Sequence, residues 1–418
     1  MERTFSTVLG IFLLCVLAQA KLESIQSAVR SPIEVLEEPF ETYCGDNLFM
    51  DMVTPLNYPV TSHTTTTEDG YVLKLFRIQA KNTKMTTGKP VVFLQHGLFD
   101  SSDGWVSNTE PNSLGFVLAN AGYDVWMGNS RGNKYSRINT KISPEDKEFW
   151  DYSFQEMGQY DVKANIKFVL DQTRQAKLTY VGHSQGTSQM FAALGDPVTA
   201  PYINSKVKKY IALAPIVYMT HVTSKLLRIV TSTDILLEGA KMFGVQEWLP
   251  GSCNTNSAST KFQVYACKLN PLLCNFALGL VDSNPRYDNQ TRLPYFLEHS
   301  PSGSSLRTLW HYRQQIEAKS QTQFNKFDFG AAGNLNRYGQ TTAPAYDLNN
   351  IKIPVRGFVG TQDVLGDVED TSLLNSKLNQ LKKDYKEYVY NNCGHMTFMW
   401  GLNPTQIFTD ILAEIKFA

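Results

Sequence analysis

Neither sign of charge is in excess in this chain of 418 residues: 39 Lys and Arg balance 39 Asp and Glu, and no run of like charges forms a tail. A polyanion would find no basic footprint, so nucleic acid is not expected as a partner. Metal-site spacings are missing too. No Cys-x-x-Cys and no His-Glu-x-x-His occurs, and neither a metal nor an organic cofactor is expected. Internal repeats and low-complexity segments are also lacking. The apolar run from Val8 to Ala18 is shorter than the roughly 20 residues a bilayer requires. It follows Arg3 and ends at Ala18-Gln19-Ala20, which reads as a secretory signal cleaved after Ala20. No later segment is expected to span a membrane.

What is present is a chain that is 42% hydrophobic, enough to bury a full core and an additional lobe. Five cysteines remain beyond the signal: Cys44, Cys253, Cys267, Cys274 and Cys393. An odd number in an oxidising compartment permits at most two disulfides and leaves one thiol. Asn289-Gln290-Thr291 is a possible N-glycosylation sequon.

Short apolar or β-branched runs alternate with helical stretches, the pattern of a largely parallel sheet covered on both faces, so the fold class is α/β. Strands are predicted at 71–78, 90–95, 123–127, 178–182, 207–214, 353–360 and 385–390, and helices at 160–172, 187–194 and 404–415. The polar stretch TSHTTTTEDG at Thr61 to Gly70 reads as a connection before a strand. Between Ala214 and Ile353 lie nearly 140 residues, where a crossover needs only about a dozen. That gap predicts a cap or lid inserted at 215–326, between a first part of the core at 21–214 and a second at 327–418. Its apolar opening, from Leu226 to Trp248, is expected to form mainly cap core.

Two Gly-x-Ser-x-Gly patterns compete as nucleophile sites, GHSQG around Ser184 and GNSRG around Ser130. A nucleophile elbow requires a strand, a tight strained turn and a helix, with glycines where side chains would clash. LTYVG-HSQG-TSQMFAAL supplies all three. GNSRG is followed by a segment without helical periodicity that meets Pro144, so Ser130 is assigned to an ordinary loop. A serine hydroxyl needs a base held by a carboxylate, in the chain order Ser, acid, His. His395 alone among the later histidines follows a late strand and precedes the last helix. Asp363 is the first carboxylate beyond the strand at 353–360, whereas Asp367 and Asp370 are better placed to begin a helix. His183 is expected to support packing and His96 to organise a loop. The backbone N–H groups of Leu98 and Gln185 are the expected oxyanion donors.

The motifs TEDGYVLKLFRI, QHGLFDSSDGW, YDVWMGNSRGNKYSR, EFWDYSFQEMGQYD, YVGHSQGTSQMFAAL, HSPSGSSLRTLWHYRQ, YDLNNIKIPV, GTQDVLGDVED and NNCGH stand in one order along nearly the whole chain. In this they resemble the acid lipases, the family containing gastric lipase and lysosomal acid lipase. The resemblance implies an α/β-hydrolase core with a cap, and secreted or lysosomal hydrolysis of lipid esters such as triacylglycerol or sterol esters. It also implies Ser184, Asp363 and His395 as a triad, with Leu98 and Gln185 at the oxyanion hole. The family's cap disulfide would be matched by Cys267 and Cys274, with a different spacing, which leaves the partners of Cys44, Cys253 and Cys393 open. Gly366 and Val368 stand where the family usually has Ala and Pro.

The expected activity is therefore that of a serine hydrolase working through an acyl-enzyme, as a monomer acting peripherally at a lipid–water interface. A phospholipase or general carboxylesterase on the same scaffold is the alternative, because substrate choice lies in the cap. A lipid carrier without catalysis would be expected to lose a triad member, and all three are present.

Overall fold

The computed structural model describes residues 44–224, 245–251, 253, 282–318 and 320–416. The expected signal at 1–20, most of the apolar opening of the cap, and Cys267 with Cys274 lie outside the described residues.

Eight strands form the main path of the sheet: β1 (Val60–Thr66), β2 (Tyr71–Ile78), β3 (Val91–Gln95), β4 (Asp124–Gly128), β5 (Leu178–His183), β6 (Val207–Leu213), β7 (Val355–Gly360) and β8 (Tyr385–Tyr390). Their order is β1-β2-β4-β3-β5-β6-β7-β8, parallel from β4 through β8, with β2 antiparallel to both of its neighbours, β1 and β4, at one end. All seven predicted strands form, with ends displaced by two residues at most. Thr61–Gly70 departs from its reading as a connection, because Val60–Thr66 pairs with β2 along its whole length. As an edge strand it stays half exposed, so no apolar alternation reveals it, while its β-branched threonines suit a pleated backbone.

Side chains alternate between the two faces, as the period of a strand dictates. Phe76, Ile78, Val92, Leu94, Val125, Met127, Val181, Ile211 and Leu213 enter one buried layer, and the intervening Leu75, Phe93, Trp126, Tyr180, Tyr210 and Ala212 enter the other. The helices α1 (Val162–Thr173), α2 (Gln185–Gly195) and α3 (Val368–Gln380) contribute to the second layer, and α4 (Thr405–Lys416) to the first. A turn of π-helix at Met157–Asp161 leads into α1, where the sequence predicts ordinary helix from Tyr160. Among the described residues no helix is long and apolar enough to cross a membrane. Cys44 is joined to Cys253, and Cys393 is a buried free thiol.

Candidate active site

Parallel strands bring their carboxyl ends to one edge of the sheet, and loops leaving β3, β5, β7 and β8 meet there. At the end of β5, Ser184 turns the chain into α2 with φ 52° and ψ −120°. A non-glycine residue held there carries strain of about 1–3 kcal/mol. Close packing keeps it in place: Ser184 N–H donates to Leu213 O at 3.0 Å, and a Cβ on Gly182 would lie 2.7 Å from the Gly186 backbone. A Cβ on Gly186 would overlap Gln95 O on β3. Both glycines of GHSQG are thus required by the approach of helix to sheet.

Ser184 Oγ lies 2.8 Å from His395 Nε2, and His395 Nδ1 lies 2.8 Å from Asp363 Oδ2. All three side chains are buried. Asp363 accepts the N–H groups of Leu365 and Gly366 on Oδ1, each at 2.8 Å, which leaves Oδ2 for the imidazole. This arrangement assigns the proton of neutral His395 to Nδ1, so that Nε2 is free to accept from the serine hydroxyl. Asp367 instead caps α3, accepting from Glu369 N–H, and Asp370 holds His221.

Gly97 sits against the elbow, close enough that a Cβ there would lie 3.0 Å from Ser184 Cβ. Leu98 follows Gly97 directly in the chain, and Gln185 opens α2 immediately after Ser184. His96 organises this loop through Nδ1, 2.7 Å from Gly97 O, while its Nε2 accepts from Ser130 N–H at 3.0 Å. Burial lowers His96 to about 4, so the ring stays neutral and can accept that bond.

Ser130 is a buried acceptor. Its Oγ takes bonds from Gln95 Nε2 and Gln189 Nε2, both at 3.0 Å, and Arg131 beside it is held by Asp69 and Asp161. GNSRG is therefore the structural support of β3 and α2.

Two residues hold the backbone of His395 by contacts that the sequence does not signal. His183, predicted as packing support, places Nε2 2.9 Å from His395 O; burial lowers it to about 3, so this neutral ring donates. Asp282, in the inserted segment, accepts the N–H groups of His395 and Met396. The local sequence carries no signal for that contact, which spans 113 residues. The sequon residue Asn289 is 6% exposed and its Nδ2 donates to Asn108 Oδ1 at 3.1 Å, so a glycan on that nitrogen would have to displace a buried contact. Among the described residues no cluster of three or more His, Cys, Asp or Glu is arranged to hold a metal ion.

Residues 49–109 match the partial alpha/beta-hydrolase lipase region, and residues 90–402 match the alpha/beta hydrolase fold. Gastric triacylglycerol lipase of Rattus norvegicus is 36% identical over 367 residues, covering 87% of this chain and 90% of the relative. The gastric enzyme of Homo sapiens is 37% identical over 373 residues, with 87% and 90% covered. Lysosomal acid lipase/cholesteryl ester hydrolase of Homo sapiens is 35% identical over 366 residues, with 87% and 89% covered. A putative lipase from Sulfolobus solfataricus shares the fold, with a TM-score of 0.54 at 14% identity over 86% of this chain and 95% of its own.

Proposed function

Because the chain belongs to the α/β-hydrolase lipases, the family of the gastric and lysosomal acid lipases, we propose that it hydrolyses carboxylic esters of lipids through an acyl-enzyme on Ser184. The observation that carries this reading is the unbroken relay from Ser184 Oγ through His395 to Asp363, both contacts at 2.8 Å, on a strained elbow.

In the proposed reaction Ser184 Oγ attacks the ester carbonyl as His395 Nε2 takes its proton, and Asp363 stabilises the imidazolium. The N–H groups of Leu98 and Gln185 receive the oxyanion, where each such donor is worth about a hundredfold to a thousandfold in rate. His395 returns the proton to the departing alcohol. It then deprotonates water, which attacks the acyl carbon, and it returns that proton to Ser184 Oγ as the acyl bond breaks and the fatty acid leaves.

The activities for which the relatives are named favour triacylglycerols and sterol esters as substrates. They also favour a secreted or lysosomal place of action, at the surface of a lipid phase. The inserted cap at 215–326 is the part proposed to select among these esters.

A fluorophosphonate probe tests the nucleophile. Ser184→Ala is expected to lose both labelling and turnover of a long-chain triacylglycerol and a sterol ester; labelling that persists in this variant overturns the assignment.

A further inference from the structure

The segment returning from the cap runs beside both loops that carry His395 and Asp363. Asp282 bridges antiparallel to Asp363, Ser283 N–H donates to Gln362 O at 2.9 Å, and Asn289 N–H donates to Trp400 O at 2.7 Å. Within this segment Asp282 is completely buried and Asp288 is 2% exposed. Asp282 accepts the backbone N–H groups of His395 and Met396, and a Cβ on Gly394 would overlap its carboxyl group. Asp288 Oδ1 accepts from Thr397 Oγ1 at 2.8 Å, and that hydroxyl in turn accepts Gly394 N–H at 2.9 Å. Asp282 therefore holds His395 and Met396 directly by their backbone N–H groups, and Asp288 holds Gly394 through the Thr397 hydroxyl.

Asp288 Oδ2 is buried and has no hydrogen-bond partner, and Asp282 is its carboxyl neighbour beside Gly394. Neighbouring buried carboxyl groups repel strongly when both are ionised, which favours a state in which the pair keeps one proton. The other ionisable groups facing the pair are Asp363 on the acid loop and Cys393 and His395 on the histidine loop. Among the described residues no lysine or arginine makes an ion pair with either carboxyl. Burial and the neighbouring carboxylates both push Asp282 well above the ordinary carboxylate range, and burial raises Asp288.

We propose that Asp282 and Asp288 are positioning residues which, by sharing one proton, clamp the histidine loop so that His395 spans Asp363 and Ser184. The proposal rests on the reading of Ser184 and His395 given above. While the proton is shared, the pair carries a single negative charge and accepts the loop's donors. Once the pH rises through the range of the pair, two buried like charges face each other beside Asp363, and the clamp loosens. Turnover should then fall on the alkaline side through kcat, since the groups that contact substrate are unchanged and only their alignment is lost. A misplacement of about 1 Å at reacting atoms is enough to cost roughly a hundredfold.

The test compares Asp282→Ala, Asp288→Asn, Ser184→Ala and the unaltered full-length protein by kcat and KM on one soluble ester across pH. Asp282→Ala removes the acceptor of two N–H groups and is expected to lower kcat about ten- to a hundredfold with little change in KM. Asp288→Asn replaces the shared proton by a permanent amide donor to Asp282, so the alkaline limb of kcat should move upward by about half a pH unit or more. An alkaline limb that does not move in Asp288→Asn overturns the shared proton. A kcat for Asp282→Ala within about twofold of the parent overturns the clamp. If Asp282→Ala does not fold, the pH profile of Asp288→Asn decides alone. Activity surviving in Ser184→Ala would instead condemn the nucleophile, and so separates failure of that reading from failure of this one.

Discussion

At the scale of single residues, the acid is the most discriminating case. Asp363, Asp367 and Asp370 lie within eight residues, and the fold uses each differently: Asp363 contacts His395, Asp367 caps α3, and Asp370 holds His221. Asp363→Asn is expected to lower kcat by about 10³- to 10⁴-fold, because the amide favours the wrong imidazole tautomer. Asp367→Asn should stay within about a factor of two in turnover, since asparagine is as good an N-cap as aspartate. Steady-state kinetics on the two purified variants checks both, and near-normal turnover by Asp363→Asn would identify a different acid. Position along the chain was enough to single out Asp363 as the carboxylate that meets His395, its role as the acid being part of the proposal. It was not enough for Asp282, which lies more than a hundred residues before the histidine it holds and sits on no motif.

At the scale of elements, the two glycines of GHSQG and the strands beside them were legible because the cause is local. A strand buried on both faces is largely apolar, and a tight elbow leaves no room for a Cβ at its flanking glycines. The pairing of Cys44 with Cys253 was not legible, because it joins segments 209 residues apart, one before the helix at Asn47–Val53 and one between β6 and β7. Constraining so long a loop limits the unfolded chain. Cys253→Ser is therefore expected to lower the unfolding free energy by about 2–4 kcal/mol. Urea denaturation reads this as a lower midpoint, with a slope that is steeper because the released denatured chain is less compact, and an unchanged midpoint would show that the bridge adds nothing to stability.

At the scale of the whole molecule, buried carboxyl groups set the pH range of stability. Burial alone would raise Asp103, but the Lys134 ammonium 2.7 Å away and the His299 ring hold it down to about 2. A folded value below the ordinary 3.8 contributes stability present above that pH, amounting to about 2 kcal/mol, and lost as the pH falls toward 2. Asp100 behaves oppositely. Burial, with no partner on Oδ2, raises it to about 7, so its contribution is complete below 3.8 and is lost as the pH rises through 7. Thermal melting is accordingly expected to be highest near about pH 4, falling below it with Asp103 and between about pH 4 and 7 with Asp100. Asp100→Asn, which keeps the shape and removes the titration, should flatten the decline between about pH 4 and 7; an unchanged decline would assign it to other buried carboxyl groups, among them Asp161.

By itself the sequence determined the strand periodicity, the layering of helices on the sheet, the serine at the elbow and the order Ser184, Asp363, His395. Each follows from forces acting within a few residues: alternate burial along a strand, helical spacing, and steric exclusion at a turn. Only the tertiary structure decided the partner of Cys44, the edge strand Val60–Thr66, the structural duty of Ser130 and the hold of His183 and Asp282 on the histidine loop. Those depend on which distant segments the closed sheet brings together, and a buried polar side chain takes its role from the neighbour that satisfies it.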